Sequence, residues 1–411
     1  MAFGDAPEDA ALRDAWRQFC DRLKDAGELV FKDANPSTPV QRADAMRFLT
    51  QNLGQAFDLG LETRDAAYPQ IHPLCTPTRK LGGDVADFTY RQAWIDGRHE
   101  YKITGRRGTA RWLNVTVQGP RPETIPGTDW PSLHEPFGDI PETNIFGHEL
   151  ATDAAGNFEL YIGGPERAQN WLPTTPGSRK LFIREAFDAW FESPTELTIE
   201  RIGMRTPRPQ PDPETMIEAM GWAGDFLTGA MRDWPEHSWK YSAGVCDPRY
   251  PNQFPPDKIA DTDDDVKRGR LAAHMVWRLA PDEALIVEMD HHDGFWIFGM
   301  GGAFVGSMDF LYRAVSYTPA RTVVDEDGVV RFVIAHQDPG IHNWLDTQGF
   351  SAGNLTYRNL LSRNATTLRT RLVRHSEILD VLPPTTVRVD PAERARQLLD
   401  RYRSVKLRYG I

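Results

Sequence analysis

The densest group of potentially reactive side chains lies between residues 336 and 358. It contains two histidines, an aspartate and an arginine: His336, His342, Asp346 and Arg358. An imidazole beside a carboxylate can move a proton to or from a bound molecule, and an arginine can bind an anionic group or an oxyanion. We therefore predict a catalytic site in this segment. The alternative is a hydrogen-bonded loop in which Asp346 caps a turn and Arg358 is its partner.

This segment is part of an internal repeat. The stretch Asp153–Ile162 matches Asp325–Ile334 in its aspartate, its glycine and its alternating apolar positions, and an Asn-Trp-Leu triplet follows at residues 170–172 and 343–345. Each copy continues through a turn to a strand that ends in arginine, and each is preceded by a pattern that predicts a hairpin, at 101–117 and at 285–298. A shared order of strands and turns is typical of duplication. It predicts a mainly β fold of two related antiparallel β-sandwich or jelly-roll units.

The differences between the copies suggest where function lies. Features that both copies share are most simply explained as scaffold, so divergent polar residues are better functional candidates. His342 and Asp346 replace Gln169 and Pro173 of the first copy, and His336 replaces a glycine. The second copy is also rich in aromatic residues, some of which must line a cleft or an interface if the others fill the core. We expect the substrate to contact four of these: Trp344, Tyr357, Trp296 and Tyr312.

Other motifs favour structural roles. The adjacent histidines of Asp290-His-His-Asp293 would face opposite sides of a strand, which suits a turn better than a metal site. His148-Glu149 has no local partner, and Asp261–Asp265 is followed by basic residues as at a helix N-terminus. The glycines at 299–302 lack the helix that a dinucleotide-binding loop requires. We therefore predict no metal and no cofactor.

Helical periodicity and capping residues place helices at the start, in the middle and at the end of the chain. Thr38-Pro39, Asp212-Pro213 and Asp390-Pro391 each combine an N-cap with proline at the first helical position. Apolar stripes that include Trp16 and Met46 suggest that the first two helices pack into the core. We expect an N-terminal helical segment (1–62), a first β-sandwich unit (63–204), a linker with helices (205–273), a second unit (274–389) and a C-terminal helix (390–411).

Composition limits the possible partners. The 411 residues carry a net charge of −11, which argues against a general electrostatic attraction to nucleic acid or to anionic lipid. No apolar stretch is long enough for a membrane helix, and no secretory signal is visible at the N-terminus. The three cysteines, Cys20, Cys75 and Cys246, are far apart, as expected in a reducing compartment. The sequence therefore predicts a cytoplasmic protein, with a homo-oligomer as an open alternative to a monomer.

Several motifs resemble a widespread bacterial family. They are Lys80-Leu-Gly-Gly-Asp84 with Asp87 and Tyr90, then Tyr101-Lys-Ile-Thr-Gly-Arg106, then Asp338-Pro-Gly, Asn343-Trp-Leu-Asp-Thr347, Gly353 and Arg358. The family is known as domain of unknown function 1214. Its members are similar to double jelly-roll proteins, which agrees with the repeat. It has no established activity, so the resemblance implies a fold and not a reaction.

These observations lead to two functional hypotheses. The first is a cofactor-independent enzyme, a hydrolase or a lyase or isomerase, that acts on an apolar or aromatic small molecule in a cleft beside the second sandwich. The second is a non-catalytic carbohydrate- or lipid-binding protein or an assembly subunit. An enzyme requires a closed pocket in which polar residues converge, whereas a binding module requires an open aromatic strip.

Overall fold

The computed structural model describes residues 4–241, 249–254, 271–360 and 367–411. The helices are α1 (Asp9–Glu28), α2 (Pro39–Phe57), α3 (Pro213–Glu236), α4 (Ile378–Val381) and α5 (Pro391–Tyr409). The strands of the first half are β1 (His72–Cys75), β2 (Phe88–Trp94), β3 (Tyr101–Arg106), β4 (Trp112–Gly119), β5 (Ile140–Phe146), β6 (Asn157–Ile162), β7 (Trp171–Leu172), β8 (Lys180–Ala186) and β9 (Glu196–Arg201). Those of the second half are β10 (Leu271–Arg278), β11 (Glu283–Asp290), β12 (Trp296–Gly301), β13 (Ser316–Tyr317), β14 (Val329–Ala335), β15 (Trp344–Asp346), β16 (Ala352–Asn359) and β17 (Leu368–Arg374).

The two halves have the same sheet topology, except that the first has one additional edge strand, β1. The first unit pairs a sheet of order β1-β2-β8-β4-β5 with one of order β7-β6-β3-β9. The second pairs β10-β16-β12-β13 with β15-β14-β11-β17. In each unit one very short strand joins its sheet in parallel, β7 beside β6 and β15 beside β14, while the other pairings are antiparallel. The fold is therefore mainly β and duplicated, as the repeat predicts.

The Asn-Trp-Leu triplets make equivalent contacts in both units. The side chain of Asn170 both donates to and accepts from the backbone of Ala151, and Asn343 does the same with Val323. The indole of each following tryptophan donates to a backbone carbonyl of the neighbouring strand segment, at 2.9 and 3.2 Å. The triplet thus fastens a loop to the sheet in each unit, which is a scaffold role.

The strand connections differ from the sequence-based expectation in one respect. The patterns at 101–117 and at 285–298 suggest hairpins, but β3 and β4 lie in different sheets, and so do β11 and β12. The hairpin prediction was wrong because a turn within a sheet and a crossing to the facing sheet leave the same alternation of apolar residues. The error is identical in the two units, as expected for a duplication.

The long helices begin where their caps predict. Thr38 Oγ1, Asp212 Oδ1 and Asp390 Oδ1 each accept a hydrogen bond from a backbone N–H in the first turn. Helices α1 and α2 pack with α3 against the two β units, but Trp16 is 56% exposed and Met46 is also exposed, so the predicted stripes are only partly buried. Within the described residues, no helix is both long and apolar enough to cross a membrane.

Candidate functional site

A cavity of about 300 Å³ lies where the two β units meet α3. Its apolar wall comes from strand β1, the segments before β2 and β5, strand β8, helix α3 and the segment after β12: Leu74, Cys75, Leu81, Leu133, Phe137, Phe182, Trp234 and Val305. Its polar wall comes from both units: Asp84, Tyr90, Gln118, Asp139, Lys180, Arg184, His237, Ser238, His274, Asn354 and Arg358. A mostly apolar cavity with a few convergent polar groups is the usual form of a small-molecule site.

Two arginines in this cavity are counterparts in the duplication. Arg184 lies on β8 and Arg358 on β16, the equivalent strands of the two units. Arg184 donates to the Oδ1 atom of Asn114 on the adjacent strand of its own sheet, at 2.5 Å. At the position equivalent to Asn114 the second unit has Ile297, which offers no side-chain acceptor. Arg358 instead reaches across to the first unit.

Tyr90 and Gly83 of the first unit are among the partners of Arg358. Its guanidinium donates to the phenolic oxygen of Tyr90 at 3.0 Å and to the carbonyl oxygen of Gly83 at 2.8 Å. Gly83 follows Gly82, whose φ of +51° and close approach to the indole of Trp234 leave no room for a Cβ. This tight loop is therefore what allows the second unit's arginine to reach a backbone oxygen of the first.

Tyr90 is arranged to donate its proton into the cavity. Its oxygen accepts from the Val85 amide at 3.1 Å and from Arg358, and no side-chain or backbone acceptor for its own O–H lies among the described residues. Burial raises the pKa of Tyr90, although the positive charge of Arg358 opposes that rise. Tyr90 is therefore protonated at neutral pH and can donate to a ligand oxygen.

A hydrogen-bonded chain leads away from the cavity through Asp84. The carboxylate of Asp84 accepts from both the backbone N–H and the hydroxyl of Ser307, and the Ser307 oxygen accepts from Lys80 Nζ at 3.0 Å. Burial raises the pKa of Asp84, and it lowers the pKa of Lys80 to about 8. Both groups can therefore exchange protons closer to neutrality than free side chains do.

Among the cavity-lining residues that the structure describes, cationic side chains outnumber carboxylates. Lys180 donates to the Pro136 carbonyl oxygen and lies 3.6 Å from the Asp139 carboxylate, which also binds Arg179. Three cationic side chains, from Lys180, Arg184 and Arg358, line the cavity against two carboxylates. His237 follows α3, and burial lowers its pKa, so it is a neutral imidazole at pH 7.

The structure separates Arg358 from the other three predicted catalytic residues. Arg358 lines the cavity, whereas His336, His342 and Asp346 are not among its lining residues. His336 contacts the Thr347 hydroxyl at 2.7 Å and the Ala280 carbonyl oxygen at 3.1 Å. His342 lies beside a separate groove, and burial lowers its pKa.

Asp346 has the turn-capping role that the alternative predicted. Its Oδ1 atom accepts from the Gln348 backbone N–H at 2.8 Å. Its ion-pair partner is Arg313 at 3.0 Å and not Arg358. Asp346 and Arg358 therefore have different surroundings, and the geometry does not support one site that contains both.

The four predicted substrate-binding aromatic residues lie outside the cavity. Trp296 and Tyr357 are fully buried in the core of the second sandwich, where the Tyr357 hydroxyl contacts His292 at 2.9 Å. Trp344 is buried in a smaller core cluster, and Tyr312 is exposed and stacks on Tyr402. Alternating aromatic residues thus fill the sandwich, and the cavity takes its rings from the first unit and α3.

The other candidate motifs agree with structural roles where they can be seen. Asp290 ends β11, and Glu149 accepts from the Phe146 backbone in a turn. Cys246 and the acidic run at 261–265 lie outside the described residues. Among residues that the structure does describe, no group of three His, Cys, Asp or Glu side chains is placed to hold a metal ion.

Sequence reasoning missed most of this cavity. Lys180, Arg184 and Tyr90 come from the first unit, whose shared features were interpreted as scaffold. One signal was available: the motif from Lys80 to Tyr90, noted for its family resemblance, supplies Asp84 and Tyr90 to the cavity wall.

Comparisons with known proteins agree with this fold. An uncharacterized protein from Burkholderia cenocepacia is 28% identical over 89% of this chain and 98% of its own, with a TM-score of 0.78. A structural-genomics target from Vibrio parahaemolyticus covers 80% of this chain and 98% of its own at 12% identity, with a TM-score of 0.43. A search of curated proteins finds no significant match. Residues 86–185 match the family described as "Protein of unknown function (DUF1214)", so the family resemblance that the sequence indicated is confirmed over this segment.

Proposed function

We propose that this protein is an enzyme that binds a small organic anion with an apolar or aromatic body in the cavity between its β units, and that it moves a proton on that molecule. The observation that carries the proposal is the convergence of two equivalent arginines and a protonated tyrosine on one apolar cavity. A carboxylate is the group that guanidinium donors match best among common metabolite functions.

The first unit would bind the carboxylate. Lys180, Phe182 and Arg184 are at alternate positions of β8, so all three lie on the same face of the sheet, and all three line the cavity. Phe182 and Trp234 offer ring surface to the apolar body. A charge-assisted hydrogen bond contributes about 1.5–3 kcal/mol, so loss of one arginine should weaken binding by at least tenfold.

The Tyr90–Arg358 pair would stabilise negative charge on a carbonyl oxygen. Tyr90 donates its own O–H while Arg358 donates to Tyr90, which strengthens the tyrosine as a donor. The neutral imidazole of His237, which lines the same cavity, is the candidate base that takes a proton from the carbon next to that carbonyl. A return of the proton at another carbon gives isomerisation, and loss of a leaving group gives the lyase reaction.

Proton transfer is favoured over hydrolysis through a covalent thioester, because the one described thiol in the cavity wall, Cys75, is poorly suited to act as a nucleophile. Cys75 lines the cavity, but its Sγ donates to the Leu81 carbonyl oxygen and burial raises its pKa well above the ordinary value. The reactive thiolate form is therefore disfavoured. A non-catalytic binding protein is the second candidate, favoured by the fact that Arg184 and Lys180 already have partners within the protein.

The test begins with ligand discovery. Wild-type protein is titrated with aryl and alkyl carboxylates and with their matched primary amides, and thermal stabilisation and calorimetry are measured. We expect carboxylates to bind at least tenfold more tightly than amides, and Arg184→Met to remove that preference. Equal binding of acids and amides would refute the anion site.

Proton transfer is then measured directly. A bound keto acid incubated with the enzyme in D2O should exchange hydrogen at the carbon next to its carbonyl, as followed by NMR. Tyr90→Phe should slow exchange by a factor of about 10² and change the dissociation constant by less than about threefold, because it removes one hydroxyl and keeps the ring. Binding without any exchange would reject the enzyme in favour of the binding protein.

A further inference from the structure

A second groove lies between residues of the first unit and residues of the second unit and α5. It has a volume of about 440 Å³ and is formed by the loop after β8, the segment around β13 and helix α5. None of its lining residues lines the central cavity. His342, the sequence-predicted candidate, is one of them.

The polar groups of this groove are donors or cations. Arg321 and Arg401 line it, and no carboxylate is among its lining residues. Gln397 also lines it: its Oε1 atom accepts from Arg394, whereas its buried Nε2 atom has no hydrogen-bond partner in the described part of the chain. A buried amide N–H2 without an acceptor costs free energy, and a bound oxyanion would supply that acceptor.

The cluster of charged side chains beneath the groove contains more guanidinium groups than carboxylates. Arg321, Arg401 and Arg408 are all buried around Asp87, which lies 2.6 Å from Arg321 and 3.7 Å from Arg408. Two further carboxylates lie nearby: Asp188 forms an ion pair with the Arg111 guanidinium, and Glu192 accepts from the Arg111 backbone N–H. The set therefore holds four guanidinium groups and three carboxylates, which leaves one positive charge in excess.

Aromatic surface adjoins these cations. The indole of Trp190 lies 4.2 Å from the Arg321 guanidinium and 5.1 Å from that of Arg401. The next residue, Phe191, also lines the groove and is 83% exposed. A large exposed ring at the edge of a cationic groove is suited to cover the apolar part of a ligand.

We propose that this groove is a second binding site, for an organic carboxylate with an aromatic body, held by Arg321, Arg401 and the Gln397 amide and covered by Phe191. The site is independent of the central cavity and of the function proposed for it. Its ligand has one negative charge, which matches the single excess cation.

The probe is 2-naphthoate, with 2-naphthamide as its neutral counterpart, titrated into the full chain by calorimetry. Gln397→Glu keeps the acceptor for Arg394 but replaces the amide donor by a negative charge, so naphthoate affinity at the groove should fall at least tenfold. Phe191→Ala removes an exposed ring without disturbing the core and should weaken binding about threefold to tenfold. Leu407→Glu, which makes the same charge change at an exposed position of α5 away from the groove, is the control and should bind as wild type does.

Arg184→Met separates the two sites, because it alters only the central cavity. We expect a naphthoate site that persists in Arg184→Met and is lost in Gln397→Glu. The proposal is overturned if wild-type protein binds no naphthoate, if naphthamide binds equally well, or if binding is lost in Arg184→Met and kept in Gln397→Glu.

Discussion

The two β units present equivalent strands to the same cavity but line it with different residues. Strand β8 carries Lys180, Phe182 and Arg184 at alternate positions, and β16 carries Asn354, Thr356 and Arg358 at the equivalent ones. Only the arginine is common to both. The duplication thus fixed a guanidinium on each side, and the two neighbouring positions diverged. Lys180 and Phe182 line the cavity in the first unit, whereas Asn354 lines it in the second and Thr356 contacts His274 instead. A ligand bound in the cavity, as proposed above, would therefore contact different groups on its two sides.

The arginines also differ in what they hold together. Arg184 bonds within its own sheet, whereas Arg358 crosses to Tyr90 and Gly83 of the other unit. One duplicated position has therefore become a local contact in the first unit and a contact between units in the second.

The largest expected effect tests this difference. Arg358→Met should lower the free energy of unfolding by about 4 kcal/mol, because two buried acceptors lose a charged donor and Asp84 loses a nearby cation. Arg184→Met should cost about half as much, about 2 kcal/mol, because its bond to Asn114 lies within one sheet and does not join the two units. Urea unfolding measures both. Equal losses would show that the crossing bonds add nothing to the stability of the assembled units.

The Asn-Trp-Leu loops allow a second comparison. Asn343 makes side-chain bonds to Val323, to the Arg331 carbonyl oxygen and to His342, and it is buried. The side chain of Asn170 bonds to the backbone of Ala151 and is less buried than that of Asn343. We expect Asn343→Ala to destabilise the protein by about 3 kcal/mol and Asn170→Ala by about 1 kcal/mol, as measured by denaturant unfolding. The reverse order would mean that the first unit, and not the second, depends on its loop.

The elements that sequence predicts well are those set by local chemistry. The N-caps Thr38, Asp212 and Asp390 begin helices at the expected residues, because a cap depends on hydrogen bonds within one turn. The repeat predicts the duplicated strand order, since paired strands keep their alternation wherever they lie. Which sheet a strand joins depends on distant partners, and so the hairpins at 101–117 and 285–298 were wrong.

The site is harder to predict for the same reason. Tyr90 and Arg358 are hydrogen-bonded although they are 268 residues apart in sequence. No local spacing indicates that contact, whereas the closeness of His342, Asp346 and Arg358 in sequence suggests a cluster that the fold separates. Arg358 was predicted because it ends the stretch that holds the histidines and Asp346 and because an arginine can bind an anion, but its partners depend on how the units pack.

The pH dependence of stability should depend on the first unit's buried histidine. His134 has Nδ1 bonded to the Glu135 carbonyl oxygen, and burial lowers its pKa from 6.5 to about 4. The unfolded chain therefore binds the proton more readily than the folded protein does between these pH values, so stability is lost as the pH falls from 6.5 toward 4. At about pH 4.5 this contribution should be a loss of about 2.5 kcal/mol.

The matched variant is His134→Gln, which removes the titrating group and can keep a donor to that carbonyl oxygen. Its urea-unfolding free energy should fall less than that of the wild type between pH 7 and pH 4.5, by the amount that His134 contributes. Parallel pH profiles for the two proteins would contradict the assignment and place the acid sensitivity in other groups.

The smallest expected effect concerns the position at which the two cavity walls differ most. Phe182 stacks on Tyr90 with ring centroids 6.1 Å apart, and the second unit has Thr356 at the equivalent place. Phe182→Thr therefore gives the first unit the residue that the second unit has at this position. Because Phe182 is only half-buried, the change should cost about 1 kcal/mol of stability, less than loss of a fully buried ring.

The same substitution, Phe182→Thr, should also change ligand binding. Affinity for an aryl carboxylate should fall about fivefold to tenfold, since ring contact is lost, while an alkyl carboxylate of equal charge should bind within about twofold of wild type. Calorimetry with the two acids distinguishes the possibilities. An equal loss for both would mean that Phe182 acts by holding Tyr90 in place and not by contacting the ligand, and the difference between the walls would then concern positioning and not recognition.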